Sequence, residues 1–177
     1  MSTSKKFKYT VLAGTTAIAL CGSMNVGAVT NTLTVNAEIA AAITITTSAL
    51  DFGTLSVNVP ATGGSLVLAT NGNQTPTGVV QAGTANVGHI NISGSNNATV
   101  SVTLDTSTTL NGPNADTATA DTFTLAINGG VGSLSTNTCT LSSSGLCNLN
   151  VGGTLTIPGD ADSGAYTGSN TVTVVYN

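Results

Sequence analysis

LTVNAEIAAAITI, residues Leu33 to Ile45, carries an apolar side chain at every second position. Leu33, Val35, Ala37, Ile39, Ala41, Ile43 and Ile45 share one side of an extended chain, while Thr34, Asn36, Glu38, Ala40, Ala42 and Thr44 share the other. Successive side chains of a strand point to opposite faces, so the run predicts a β-strand with one buried face. Outward from it, similar patterning predicts strands at 50–57, 65–70, 78–81, 88–93, 98–105, 122–128, 138–141, 146–151, 154–157 and 171–176. Asn71-Gly72-Asn73, Gly94-Ser95-Asn96-Asn97, Asn128-Gly129-Gly130 and Pro158-Gly159-Asp160 supply bends between them. Pro60, Pro76, Pro113 and Pro158 are expected between strands, where a missing amide hydrogen does no harm. The stretch 106–120 reads as the longest loop, or as a loop containing a short edge strand. Many short strands separated by turns, with no helical period and no fixed repeat, predict an all-β, single-domain antiparallel sandwich.

The amino terminus reads differently. Lys5, Lys6 and Lys8 precede an apolar run from Tyr9 to Leu20, and small residues follow up to Val26-Gly27-Ala28. This is the pattern of a secretory signal peptide covering residues 1–28, cleaved after Ala28. Leu20 stands before Cys21 where a lipidation signal needs a small residue, so Cys21 is read as part of the leader. The expected mature chain, 29–177, is exported to the periplasm, cell surface or extracellular space. No later run is long and apolar enough for a membrane helix. All three basic residues of the protein lie in the leader, while Glu38 and all six aspartates lie beyond it. A chain with no Lys or Arg cannot release counterions from a phosphate backbone or an anionic lipid surface, which excludes nucleic acid as an expected partner.

Cys139 and Cys147 remain after the leader is removed, and an oxidising compartment makes a disulfide the default. They lie symmetrically about Ser143 in TCTLSSSGLCNL. A hairpin turning at Ser142-Ser143-Ser144 sets them opposite one another on paired strands, at a distance a disulfide spans. Two sulfurs and one distant imidazole make a poor metal set.

Groups fit for catalysis are scarce. His89 is the only imidazole, and no lysine or arginine is at hand to stabilise an oxyanion or activate a nucleophile. Asp160 and Asp162, between Gly159 and Gly164, offer oxygen ligands for calcium but match no full loop signature. The reading is of a non-enzyme with no cofactor and no metal.

Two segments carry a family likeness: LTVNAEIAAAITIT with LDFGTL (Leu50 to Leu55), and VGGTLTIPGDADSGAYTGSNTVTVVYN (Val151 to Asn177). They resemble the bacterial secreted domain-of-unknown-function 4402 family, which is similar in outline to spore coat protein U and to chaperone–usher fimbrial subunits. The resemblance implies an immunoglobulin-like, pilin-like β-sandwich and a role in extracellular assembly. It also implies a periplasmic chaperone and an outer-membrane usher as partners, beside copies of the chain itself or related subunits. Chaperone–usher subunits commonly end on a strand with an aromatic residue next to last and a glycine near the fourteenth position from the end; Tyr176 and Gly164 occupy those places. Val172, Val174 and Tyr176 alternate on one face of that ending, an apolar edge fit to accept an added strand. Cleavage after Ala28 leaves little sequence for a donor extension, so the run 33–45 is open to being part donor and part first strand.

Two functions compete. One is a structural subunit of a cell-surface or extracellular assembly, fimbria-like or matrix-forming, joined partly by β-strand addition. The other is a secreted carbohydrate-binding or adhesin module. Sugar rings stack on exposed aromatics, and beyond the leader the chain holds only Phe52, Phe123, Tyr166 and Tyr176. Tyr166 alone falls in a loop, which favours the structural role.

Overall fold

The computed structural model describes residues 30–58, 62–130 and 132–177. The expected signal peptide, its cleavage point and Pro60 lie outside those residues. The chain divides into two units, 1–37 and 38–177. Thirteen strands run through the second among the described residues: β1 Thr44–Ser48, β2 Leu55–Val57, β3 Gly64–Leu68, β4 Gln74–Thr77, β5 Val79–Gln81, β6 Gly88–Ser93, β7 Thr99–Leu104, β8 Ser107–Asn111, β9 Thr117–Ile127, β10 Ser133–Ser135, β11 Thr138–Thr140, β12 Leu146–Ile157 and β13 Val172–Tyr176. Every pairing is antiparallel, in a seven-stranded, a four-stranded and a two-stranded sheet.

Strand β12 organises the large sheet. One of its edges pairs with β9 along nearly its whole length; the other pairs first with β6 and then with β3. The exchange of partners falls at Gly152-Gly153, between the Val151–Gly88 and Gly153–Leu68 pairs. A Cβ at Gly152 would collide with the Leu68 carbonyl oxygen, and one at Gly153 would press on the Phe123 ring. The two glycines, which read in the sequence as a break between strands 146–151 and 154–157, are instead the seam of a single long one.

The bulge in β9 has a similar signature. Phe123, Leu125 and Ile127 occupy odd positions and Ala118 and Ala120 even ones, yet all five pack into the core. The register against β12 shifts between Gly152 and Thr154, and Thr122 takes φ 51°. One extra residue restores the inward face after the parity change. The expected loop at 106–120 is therefore mostly strand, β8 and the first half of β9, joined through a 3-10 turn at Pro113–Ala115.

The inner faces of the two large sheets meet in one cluster. Ile90 and Ile92 of β6 and Leu149 and Val151 of β12 come from the seven-stranded sheet; Val100 and Val102 of β7 come from the four-stranded one. Phe52, Leu66, Leu68 and Leu155 anchor a second cluster.

Three expectations need correction. The strand expected from Leu33 begins only at Thr44, where the β6 edge becomes available, and Leu33, Val35 and Ile39 are 88%, 82% and 94% exposed. Alternation equips a segment for pairing but does not supply the neighbour. Pro76 lies within β4 rather than between strands, tolerated because β4 is a sheet edge. The cysteines do not face each other across a hairpin. Cys139 pairs in register with Val100 and Leu134, whereas Cys147 pairs with Ile92. The Ser142–Gly145 turn carries the chain from one sheet to the other, and the pair, with Cα atoms 6.7 Å apart and both side chains fully buried, spans the space between sheets.

A bond between Cys139 and Cys147 therefore staples two layers. Non-reducing peptide mapping should recover the two peptides joined. The double variant Cys139→Ala, Cys147→Ala should lose about 2–3 kcal/mol, seen as a thermal midpoint lower by roughly 4–12 °C for a domain of this size.

Candidate functional site

Strand β13 forms from alternating residues of high strand propensity: Val172, Val174 and Tyr176 face inward and are half-buried, while Thr173 and Val175 are exposed. Both ends are tied to β7. The Asn177 N–H donates to the Thr99 carbonyl at 3.0 Å and the Asp105 N–H donates to the Thr171 carbonyl at 3.3 Å. At the start of the strand the Thr171 N–H donates to the Asp105 carboxylate at 3.0 Å, and the Asn170 amide donates to the Asp105 carbonyl and the Thr108 hydroxyl. The bonds from Thr171 hold the Asp105 carboxyl below its ordinary value.

Those end bonds fix the phase of the ladder. Antiparallel residues alternate between pairs that exchange hydrogen bonds and pairs that do not, so with 99/177 and 105/171 bonded, Val172, Val174 and Tyr176 turn their N–H and C=O groups away from β7. Among the described residues no strand pairs with that outer edge.

The edge of the facing sheet, β1, is also unguarded. Ile45 and Thr47 lie opposite Ile92 and Ile90 and share their inward face. Yet the two β6 residues are 1% and 2% exposed, whereas Ile45 is 38% exposed and all of β1 is open to solvent. Between β1 and β13, then, a strip of the interior has no cover among the described residues. Toward the start of β13 it widens into a cleft of about 430 Å³, with Leu50, Phe52 and Phe123 on one wall and Leu104, Asn170 and Val172 on the other. Other edges are protected by ordinary means: β4 carries Pro76, β10 has three residues, and the end of β8 is bridged by Thr167.

At the top of the strip the Tyr176 hydroxyl accepts the Ser95 N–H at 2.7 Å and donates to the Ala41 carbonyl at 2.8 Å. The Ala41 N–H in turn donates to the Ser95 side chain at 2.7 Å. Ala41 is thus held on both sides where the chain enters β1. Sequence reasoning singled out Tyr176 for its ring and missed the use of its hydroxyl; the Gly94–Asn97 turn was legible, but nothing in it marked Ser95 as a partner.

Gly164 is not brought together with Val172, Val174 and Tyr176. It lies in the loop before β13, where a Cβ would strike Pro113. Asp162 sits in the same loop; its carboxylate accepts the Asn114 amide at 2.7 Å, and its N–H donates to Asp116 at 2.6 Å. Among the described residues no three His, Cys, Asp or Glu side chains converge as a metal set. Tyr166 lies with its ring against Gly112 and its hydroxyl donating to the Asp162 carbonyl at 2.9 Å, so it is engaged in loop packing rather than presented as a platform. His89 shares a 2.8 Å hydrogen bond with Asn150. No helix among the described residues is long and apolar enough to cross a membrane.

The family model described as Domain of unknown function (DUF4402) matches residues 43–176. No curated protein and no solved structure matches the chain.

Two changes probe this region. Tyr176→Phe keeps the ring but unpairs two backbone groups near the surface, so stability should fall by about 1 kcal/mol in a denaturant titration. Asp105 stabilises the start of β13 fully above the ordinary aspartate value of 3.8, and that contribution is lost as the pH falls through its lowered native value. Asp105→Asn should accordingly remove part of the acid dependence of the unfolding midpoint.

Proposed function

The chain belongs to the DUF4402 family of domains of unknown function, and on that premise we propose that it is a structural subunit of a bacterial cell-surface or extracellular assembly. Its subunits join partly by strand addition at the outer edge of β13. One observation carries this reading: among the described residues β1 and β13 are both open, their inward residues border one uncovered strip, and Val172, Val174 and Tyr176 turn main-chain groups with no partner strand along it. A donated strand bonds to those groups and covers the apolar residues beneath, which is how edge pairing combines affinity with register.

This reading treats the two large sheets as an immunoglobulin-like, pilin-like sandwich short of one edge strand. The resemblance to spore coat protein U and chaperone–usher subunits supports it, and so does a sequence that supplies no lysine or arginine beyond Lys8 to blunt an edge. It calls for export to the periplasm or beyond after removal of residues 1–28, for copies of the chain or related subunits as partners, and for a chaperone and usher to keep the edge covered beforehand. A carbohydrate-binding role finds less support, since Tyr166 is already packed against Gly112.

Tyr176→Asp tests the reading. It places a charge at a half-buried apolar position beside the open edge, at a cost of several kcal/mol to a strand seated there. Wild type should appear as filaments or detergent-resistant high-molecular-weight material by electron microscopy and gel analysis, and the variant should be exported but absent from it. Monodisperse wild type, matched by an equally monomeric variant, would falsify strand-addition assembly.

A further inference from the structure

We infer that the outer face of the seven-stranded sheet is an ice-binding surface, on which a two-dimensional lattice of threonine and serine hydroxyls takes up oxygen positions of the crystal. The face lies on the side of the sheet away from the strip between β1 and β13, and the inference does not depend on strand addition.

The lattice is a product of strand register. Five strands of the sheet lie side by side in the order β8, β9, β12, β3, β4, and the cross-strand pairs Thr109–Thr119, Thr119–Thr156, Thr156–Ser65 and Ser65–Thr77 run across all of them. Each strand thus contributes one hydroxyl to a single row. Two residues along, a second row reads Ser107, Asp121, Thr154, Val67 and Thr75. Six threonines and two serines therefore fill eight of the ten positions, and Asp121 supplies the one charge. The residues between the rows, Thr108, Ala120, Leu155 and Leu66, are buried, which turns both rows toward solvent.

The chemistry of the face selects its ligand. It holds no cation for a phosphate or other anion, and no aromatic ring on which a sugar could stack. Large anchor side chains of the kind that carry protein interfaces are also missing, and serine is depleted at such interfaces. A repeating array of groups that each donate and accept a hydrogen bond is matched by a solid built of the same kind of group. Neighbouring strands stand about 4.8 Å apart, and alternate residues of one strand about 6.8 Å apart. Oxygen atoms on the prism faces of ice repeat at spacings close to both. Threonine suits this use better than a longer polar side chain, because branching at Cβ restricts χ1 and fixes the hydroxyl before contact, so little rotamer freedom is lost on binding. Twist turns each strand by about 20–25° against the next. The match is therefore closest over the central columns β9, β12 and β3, around Thr119, Thr154, Thr156 and Ser65.

The test follows the full exported protein into a slowly growing ice hemisphere. One variant, Thr119→Tyr with Thr156→Tyr, raises two rings above the centre of the lattice. A second, Thr103→Tyr with Thr140→Tyr, makes the same change at exposed threonines of the four-stranded sheet. Wild type and the second variant should enter the ice at several times the level of an inert globular protein, and the first should fall to that level. Both should keep the circular dichroism of wild type; if the lattice variant does not, Thr156→Tyr alone takes its place. Exclusion of wild type from ice would overturn the inference, as would equal uptake of the lattice variant or equal loss in both. Binding of wild type to cellulose or chitin powder, lost in the lattice variant and unaccompanied by uptake into ice, would overturn it in favour of a polysaccharide surface.

Discussion

Strand β12 must satisfy three neighbours with one alternating run of side chains, and the large sheet depends on that. Its odd-numbered residues from Cys147 to Leu155 face the core, yet its partner on one edge changes from β6 to β3 halfway along. Two ladders can converge on one edge only if their ends come unusually close, and Gly152-Gly153 provides the room. On the opposite edge β9 follows the same strand but needs its bulge at Thr122 to keep Phe123 and Ala120 on one side. Any side chain at Gly152 would push Leu68 outward and open the core at its centre.

Without lysine or arginine in the described residues, edge protection falls to other devices. Pro76, a three-residue β10 and the Thr167 bridge each close an edge. The pair left open, β1 and β13, are adjacent, and the residues beneath them are apolar. A single exposed edge on a soluble domain is a hazard that selection can blunt with one substitution. Two that flank the same strip, uncovered among the described residues, form a coherent surface.

Legibility varied with what each element depends on. Strand β6, Gly88–Ser93, was readable to its ends because strict alternation and flanking turns coincide there. Strand β13 was readable for the same reason, and so was its inward apolar face. The first half of β9 was lost because the parity switch between Ala120 and Phe123 looks like an interruption when no bulge is assumed. The Gly152-Gly153 pair looked like a break because a partner exchange leaves no local mark. For the cysteines, symmetry about Ser143 fixed the turn correctly, but whether two strands leaving a turn stay in one sheet is decided by distant partners, Val100 and Ile92. The run 33–45 displayed its pairing capacity openly while hiding that most of it has no neighbour within the described chain. Of the open strip, β13 was foreseen and β1 was not, since an edge strand's exposure is a property of the assembly of strands rather than of its own residues.

The clasp at Ala41 bears on how the protein would carry a load. Tension on the chain ahead of Ala41 reaches the domain through the bonds to Ser95 and Tyr176, before any pull is felt by β1. Ser95 sits in the turn joining β6 to β7, one in each large sheet, and Tyr176 closes the last strand of the smaller one. Force entering at one point is therefore shared between both layers, and the Cys139–Cys147 crossing resists their separation. The ladder from Thr44 to Ser48 lies behind that anchor, protected from being peeled open one rung at a time.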